Sequence, residues 1–149
     1  MNKRVDIYTD GACSGNPGNG GWCAILIYQQ HEKILYGNVP ETTNNRMELL
    51  AAIKGIEALK EPCFVNLYSD SAYLVNAFQE GWITNWKNND WKTKTRQPVK
   101  NKDLWERLVY AIQPHIVTFN KVKGHSDNQY NNKCDEMARR ESLTKSNNR

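Results

Sequence analysis

The chain has 149 residues, of which 39% are hydrophobic and 24% charged, and it carries a formal net charge of +4. A chain of this length fits one domain, 1–149, which can bury roughly 70% of the surface that its unfolded form exposes. The sequence has no apolar run near the about eighteen residues of a membrane-spanning helix, and it is too hydrophobic for a disordered chain, so both classes are excluded.

Three strands and a helix are predicted in the first part of the chain. Apolar and polar residues alternate over 5–10, which predicts a strand, and residues 22–28 form the next strand after a glycine-rich turn, so the two make a hairpin. A third, short strand is predicted at 33–36. Apolar residues at helical spacing then predict a helix from Thr43 to Leu59, with Thr43 or Asn44 as its cap.

The second part of the chain completes an α/β pattern. Residues 64–69 form a buried strand, and because a helix connects it to the hairpin, we expect it to lie parallel to the first strand. A short helix is predicted at 71–79, a longer one at 101–112, a last strand at 116–122 and a last helix from about Asn128. The predicted sheet is therefore mixed, and the polar, basic tail at about 144–149 is predicted to fray.

The cysteines and the start of the sequence bear on localisation. The first residues lack the apolar stretch of a signal peptide, which leads us to expect a cytoplasmic protein. In that compartment Cys13, Cys23, Cys63 and Cys134 should stay reduced, and their scattered spacing matches no zinc motif. We expect these cysteines to be packing residues rather than metal ligands or disulfide partners.

Four acidic residues fall where parallel strands and helices could bring them together. Asp10 and Asp70 end the first and fourth strands, whose carboxyl ends would meet at the sheet edge where open α/β sheets place their sites. Glu48 lies in the first helix, and Asp135 lies early in the last one. Glu48 shares a helix stripe with three small residues that would let the helix approach the sheet, namely Ala51, Ala52 and Gly55.

Clustered carboxylates repel one another at a cost of several kcal/mol unless they share protons or bind cations. Their hard oxygen ligands suit Mg²⁺ or Mn²⁺, and two such ions about 4 Å apart can activate a water and stabilise the leaving oxygen of a phosphodiester. Spacing alone leaves ordinary roles open. Asp10 and Asp70 could form turns, Glu48 could be solvated, and Asp135 could interact with the helix dipole.

A basic segment covers about 81–102. It holds six lysine and arginine side chains against Asp90 alone, a local charge of +5, and three of the five tryptophans, with Trp105 just beyond it. Cations interleaved with aromatic rings are typical of nucleic-acid surfaces. The alternative is that the tryptophans belong to the core and the lysines to a solvated face, an alternative that applies above all to Trp91 and Trp105.

Five blocks of sequence resemble the type 1 ribonuclease H family in order, spacing and residue identity. They are YTDGACSGNPGNGGW at 8–22, TNNRMEL at 43–49, SDS at 69–71, KGH at 123–125 and NKCD at 132–135. The resemblance covers the chain from about residue 4 to residue 143. The glycines of the first block lack the ending of a nucleotide-binding P-loop and lead into a strand rather than a helix.

The resemblance implies an activity and a cofactor. Asp10, Glu48, Asp70 and Asp135 match the family's metal-binding carboxylates, and His125 matches its loop histidine near the scissile phosphate. Two Mg²⁺ ions, or Mn²⁺, would activate a water that attacks the RNA strand of an RNA·DNA hybrid in line. The products would carry 5′-phosphate and 3′-hydroxyl ends.

The resemblance also implies the contacts to the hybrid. The RNA minor groove would meet the backbone from Cys13 to Asn16 and the side chains of Asn16, Asn44 and Asn45, since 2′-hydroxyls there distinguish RNA from DNA. Thr43 and Asn101 would form a pocket for a DNA phosphate. Tyr73, Trp82 and Trp86 would form the groove that accepts a deoxyribose strand. The remaining predicted contacts are two lysines of the basic segment, Lys87 and Lys92.

The implied architecture is a ribonuclease H-like α/β fold. Its five-stranded mixed sheet has strands one to three antiparallel and strands four and five parallel to the first, with flanking helices. We expect a monomer whose partner is an RNA·DNA hybrid and not a membrane. Two alternatives remain: a non-catalytic hybrid-binding module, which the four intact carboxylates disfavour, and a DNA-directed nuclease of the same fold, which would lack the basic segment and the first block.

Overall fold

A computed structural model describes residues 2–123 and 128–144 of the chain. Within them lie five strands and five helices. In chain order they are β1 (Lys3–Gly15), β2 (Gly18–Tyr28), β3 (His31–Thr42), α1 (Asn44–Glu57), β4 (Cys63–Ser69), α2 (Ala72–Gln79), α3 (Trp82–Asn88), α4 (Lys102–Ile112), β5 (Ile116–Lys121) and α5 (Gln129–Leu143). None of the described helices is long and apolar enough to cross a membrane.

The strands form one mixed sheet in the order β3-β2-β1-β4-β5. β2 pairs antiparallel with both β1 and β3, whereas β4 and β5 run parallel to β1. Parallel neighbours need a crossover connection, and α1 provides the one from the three antiparallel strands to β4. The predicted fold class and strand directions are confirmed.

Helices pack on both faces of the sheet. The larger core lies on the face covered by α1, with α2 and α4 beside it, and includes Ile7, Leu67 and Ile53. On the opposite face α5 packs Cys134 and Ala138 against β2. Cys23, Cys63 and Cys134 are buried, as the packing role predicts, and all four cysteines are free thiols.

Three elements differ from the sequence prediction. The glycine-rich block is mostly strand, because β1 and β2 continue through it and only residues 16–17 turn. β3 has 12 residues rather than four, and its alternation is weak in the sequence because half of the residues in this edge strand are exposed and only one is buried. α3, at Trp82–Asn88, was not predicted at all, because only Ile83 in it is buried and the helix has no side-chain N-cap.

The C-terminal end of α5 is held by the β1–β2 hairpin. Asn19 donates from Nδ2 to the carbonyls of Ser142, at 2.9 Å, and Thr144, at 2.7 Å. These bonds satisfy carbonyls that a helix end leaves without a partner. The predicted tail at about 144–149 lies, apart from Thr144, outside the described residues.

Candidate active site

Parallel pairing of β1 and β4 places two carboxylates at the same edge of the sheet. Their register aligns Tyr8 with Tyr68, so Asp10 on β1 and Asp70 just after β4 project from neighbouring strand ends. Together with Glu48 from α1 they offer ligand oxygens that all lie within 4.8 Å of one another. The sequence prediction that these three side chains meet is confirmed.

Glu48 reaches the cluster because α1 lies directly against a glycine of β1. A Cβ added at Gly11 would lie 2.5 Å from the backbone nitrogen of Glu48 and 2.5 Å from the carbonyl carbon of Met47. A Cβ at Gly55 would likewise lie 2.9 Å from Cγ2 of Ile7, so the small-residue stripe allows the close approach that its spacing predicted. Glu48 is only 5% exposed, which excludes the solvated role.

Burial and mutual repulsion disfavour the charged forms of these carboxyls. The pKa of Asp10 is raised to about 8, first by burial, then by the charge of Asp70 and by the adjacent Asp135 carboxyl. The Gly11 N–H, 2.9 Å from Oδ1 of Asp10, acts in the opposite direction. Burial, followed by the charges of Asp10 and Asp70, also raises the pKa of Glu48 well above its ordinary value.

The cluster fits a divalent cation. Oε1 of Glu48 is buried and accepts no hydrogen bond from any residue that the structure describes. An unsatisfied carboxylate oxygen beside two further carboxylates is costly in a protein interior unless a cation compensates it. Hard oxygen donors of this kind are the ligands that Mg²⁺ and Mn²⁺ prefer.

Asp135 joins the cluster from the other face of the sheet. It lines a cavity of about 440 Å³ together with Asp10, Glu48 and Asp70. The first turn of α5 contains no acidic residue, so Asp135 lies too far along the helix for the dipole role to account for its position. Its Oδ2 accepts a hydrogen bond from Nη2 of Arg139 at 2.6 Å.

His125, the predicted loop histidine, lies outside the described residues. Its role stays a prediction. The described chain resumes at Asn128, whose side chain caps α5 by accepting from the backbone N–H groups of Tyr130 and Asn131.

The predicted RNA contacts lie beside the acidic cavity. Oδ1 of Asn16, in the hairpin turn, accepts from the backbone N–H of Asn44 at 3.1 Å, which joins the turn to the start of α1. Cys13 and Asn44 line the cavity itself, and Asn45 next to them is exposed. The predicted residues of the two blocks therefore form one continuous rim.

The predicted phosphate pocket contains an arginine that the sequence prediction missed. Thr43 caps α1 by accepting from the backbone N–H of Arg46, and Nη1 of Arg46 donates to Oδ1 of Asn101 at 3.3 Å. The same guanidinium forms an ion pair with Asp103 at 2.7 Å. Arg46 stands inside the TNNRMEL block, and its spacing of three from Thr43 is the signal that could have indicated it.

Aromatic side chains continue from this pocket towards the basic segment. Nδ2 of Asn101 donates to the Tyr73 hydroxyl at 3.1 Å, and Trp105 donates to the same oxygen at 3.0 Å. Ring centroids lie 5.4 Å apart for Trp86 and Trp105 and 6.2 Å apart for Trp82 and Trp86. Trp105 is fully buried, so the core alternative is correct for this residue.

The lysines of the basic segment lie on two sides of α3. A cavity of about 750 Å³ is lined by Trp82, Trp86 and Lys92, with Lys94 and Arg96 beside them. Lys87 does not line it. This lysine borders a second cavity of about 260 Å³, on the side of the apolar residues that include Phe78 and Ile112.

Comparison with known proteins identifies the family. The family model described as RNase H matches residues 2–143. The chain is 63% identical to a Ribonuclease H of Chlorobaculum parvum over 139 residues, which are 93% of this chain and 95% of the relative. It is 60% identical to a Ribonuclease H of Caldanaerobacter subterraneus over 137 residues, which are 92% of this chain and 90% of the relative.

Solved structures of ribonucleases H have the same fold as this chain. The crystal structure of LC9-RNase H1, a type 1 RNase H with the type 2 active-site motif, superposes with a TM-score of 0.86 at 26% identity, covering 95% of this chain and 73% of that one. LC11-RNase H1, solved in complex with an RNA/DNA hybrid, has the same fold, with a TM-score of 0.65 at 21% identity over 91% and 94% of the two chains. With the family model and relatives of 60% identity or more beside them, the matches confirm that the chain belongs to the type 1 ribonuclease H family.

Proposed function

We propose that this protein is an endonuclease that hydrolyses the RNA strand of RNA·DNA hybrids with divalent metal ions, leaving 5′-phosphate and 3′-hydroxyl ends. The observation that carries the proposal is the buried cluster of Asp10, Glu48 and Asp70, whose oxygens lie within 4.8 Å of one another. Its support is the family membership, since relatives of 60% identity or more are named Ribonuclease H.

Asp10, Glu48, Asp70 and Asp135 would hold two Mg²⁺ ions, or Mn²⁺. Bound there, the metal supplies a Lewis acid for the phosphate oxygens and a water of lowered pKa. The protein fixes the carboxylates in advance: the Gly11 N–H orients Asp10, and the contact of α1 with β1 orients Glu48. A site prepared in this way need not reorganise during the reaction.

Recognition of the hybrid is divided between its strands. The RNA strand would lie along the rim of Cys13, Asn16, Asn44 and Asn45, where polar groups can reach its 2′-hydroxyls. A phosphate of the DNA strand would bind to Thr43 and Asn101. The sugars of that strand would pack against the rings of Tyr73, Trp82 and Trp86, and its other phosphates would lie near Lys87 and Lys92.

His125, in the segment between β5 and α5, would assist proton transfer at the scissile phosphate. A positioned imidazole typically accelerates such a step by about a hundredfold. The protein would act as a monomer in the cytoplasm. The two alternatives, a non-catalytic module and a DNA-directed nuclease, predict no cleavage and cleavage of DNA respectively.

One gel separates these functions. RNA labelled at one end is offered as an RNA·DNA hybrid, as an RNA duplex and as a single strand, alongside labelled duplex DNA, each with Mg²⁺ and with chelator. We expect cleavage of the hybrid RNA alone, and only with Mg²⁺, and none by Asp70→Asn. Hybrid binding without cleavage by the wild-type protein would support the binding module, and cut DNA would support the DNA-directed nuclease.

A further inference from the structure

Arg139 is the one cationic side chain among the described residues that line the acidic cavity. Its Nη2 lies 2.6 Å from Oδ2 of Asp135, one turn earlier on α5. An arginine four residues after an aspartate on a helix can form such a pair anywhere on a protein surface. The surroundings of this pair therefore decide whether it has a role.

The next pair on the same helix provides the comparison. Arg140 and Glu136 have the same spacing, but their atoms are 3.3 Å apart and the Glu136 side chain is 71% exposed. The Asp135 side chain is only 29% exposed and faces the cavity that Asp10 also lines. The two arginines thus differ in what their carboxylate partners face: the solvent for Glu136 and the carboxylate cluster for Asp135.

Electrostatics gives the Arg139 guanidinium a consequence that Arg140 lacks. Without a metal, the cluster brings several negative charges together in a partly buried site, and a neighbouring positive charge reduces their repulsion. With a divalent ion in the cavity, the same guanidinium repels the ion and competes with it for Oδ2 of Asp135. One contact therefore stabilises the metal-free site and opposes metal binding.

We propose that Arg139 is a resident counter-ion of the metal centre, which holds Asp135 in place in the metal-free protein and releases its oxygen when a divalent ion binds. The inference rests on the proposed metal-binding function of Asp135. Arg139 acts through Asp135, so it is a positioning residue rather than a catalytic one. The site would then exchange one cation for another and would not have to keep its carboxylates uncompensated between reactions.

The test uses the full chain and Mg²⁺ alone. Arg139→Ala, Arg139→Lys and Arg140→Ala are compared with the wild-type protein by calorimetric Mg²⁺ titration and by thermal unfolding with chelator and with saturating Mg²⁺. We expect Arg139→Ala to lower the melting temperature in chelator and to tighten Mg²⁺ binding by about fivefold, the equivalent of one ion pair. Arg139→Lys should restore both values in part, and Arg140→Ala should leave Mg²⁺ affinity unchanged.

Each other outcome has a definite meaning. Wild-type Mg²⁺ affinity in Arg139→Ala, or equal effects of Arg139→Ala and Arg140→Ala, would overturn the inference and leave the metal site standing. Weaker Mg²⁺ binding by Arg139→Ala would also overturn it, because the arginine would then support the metal-bound arrangement. If the wild-type protein took up no more Mg²⁺ than Asp10→Asn does, the proposed function would fail first and the inference with it.

Discussion

Among single residues, Asp10 carries a strong electrostatic conflict in the metal-free site. Its pKa is raised from an ordinary value of 3.8 to about 8, so the folded state binds a proton at this carboxyl more tightly than the unfolded state does. The resulting stabilisation is fully present below the unfolded pKa and is lost as the pH rises towards 8. At neutral pH and without metal, Asp10 is ionised in the unfolded chain and must take up a proton on folding, which opposes folding.

Asp10→Asn should accordingly stabilise the metal-free protein while it abolishes cleavage. We expect a gain of about 1–3 kcal/mol in the free energy of unfolding at pH 8, and a much smaller gain at pH 4, where the wild-type carboxyl is protonated. Urea denaturation in chelator at both pH values measures the difference. An equal gain at pH 4 and pH 8 would show that burial of the charge is not the cause.

His125 can be tested without reference to its position in the structure. His125→Ala should lower kcat by about a hundredfold and leave KM nearly unchanged, because the metal-binding carboxylates would remain intact and the imidazole would act only on proton transfer. Steady-state kinetics on one hybrid between pH 6 and 9 provide both constants. A wild-type kcat would remove His125 from the reaction, and a defect in KM alone would make it a substrate contact.

At the scale of elements, the contact between α1 and β1 determines whether Glu48 reaches Asp10. Gly11→Ala should push α1 away, at a cost of about 1–3 kcal/mol typical of overpacking, and should weaken Mg²⁺ binding by the folded protein. Calorimetry below the melting temperature measures the affinity. Gly55→Ala is the comparison, because it crowds the same contact, at 2.9 Å from Ile7, but about two turns further along α1 than Glu48, so it should weaken Mg²⁺ binding less. Equal loss of affinity in both variants would contradict this account of Gly11.

α3 and the residues after it divide the lysines into two groups that can be compared. Lys92→Ala with Lys94→Ala should raise KM and reduce the slope of its salt dependence by up to about two, one for each lost phosphate contact. Lys87→Ala, on the other side of α3, should reduce it by less. KM measured across a series of salt concentrations gives the slopes. If Lys87→Ala has the larger effect, the DNA strand follows the opposite face of α3.

The elements also show what a sequence can predict. The period-two pattern of β1, the helical spacing of α1 and the crossover that α1 makes to β4 were sufficient to predict a mixed sheet with Asp10 and Asp70 at one edge. They were not sufficient for α3, whose mostly polar residues give little periodic signal. Nor could they extend β1 and β2 through the glycines, because Gly11 and Gly20 are required by the close approach of α1 and Gly21 by that of α5, whereas Gly15 and Gly18 are crowded by the hairpin turn itself.

Side-chain partners are the least predictable level. The family resemblance paired Thr43 with Asn101, but Arg46 links them through its backbone N–H, which donates to Thr43, and its side chain, which donates to Asn101. That second bond depends on where α4 packs against α1. Lys87 and Lys92 have the same charge and lie close in sequence, and the turn at 89–91 that follows α3 separates their surroundings. Charge composition predicted a basic segment and could not assign its sides.

For the whole molecule, the position of α5 in the sequence determines when the site can assemble during synthesis. β1 lies in the middle of the sheet, while α5, which brings Asp135 and covers the face with Cys23 and Ile25, comes from the far end of the sequence. A ribosome-bound chain that lacks α5 would expose that apolar face and hold an incomplete set of carboxylates. The protein would therefore become competent to bind its metals only after α5 has been synthesised, and a product terminated before α5 would be prone to aggregation and inactive.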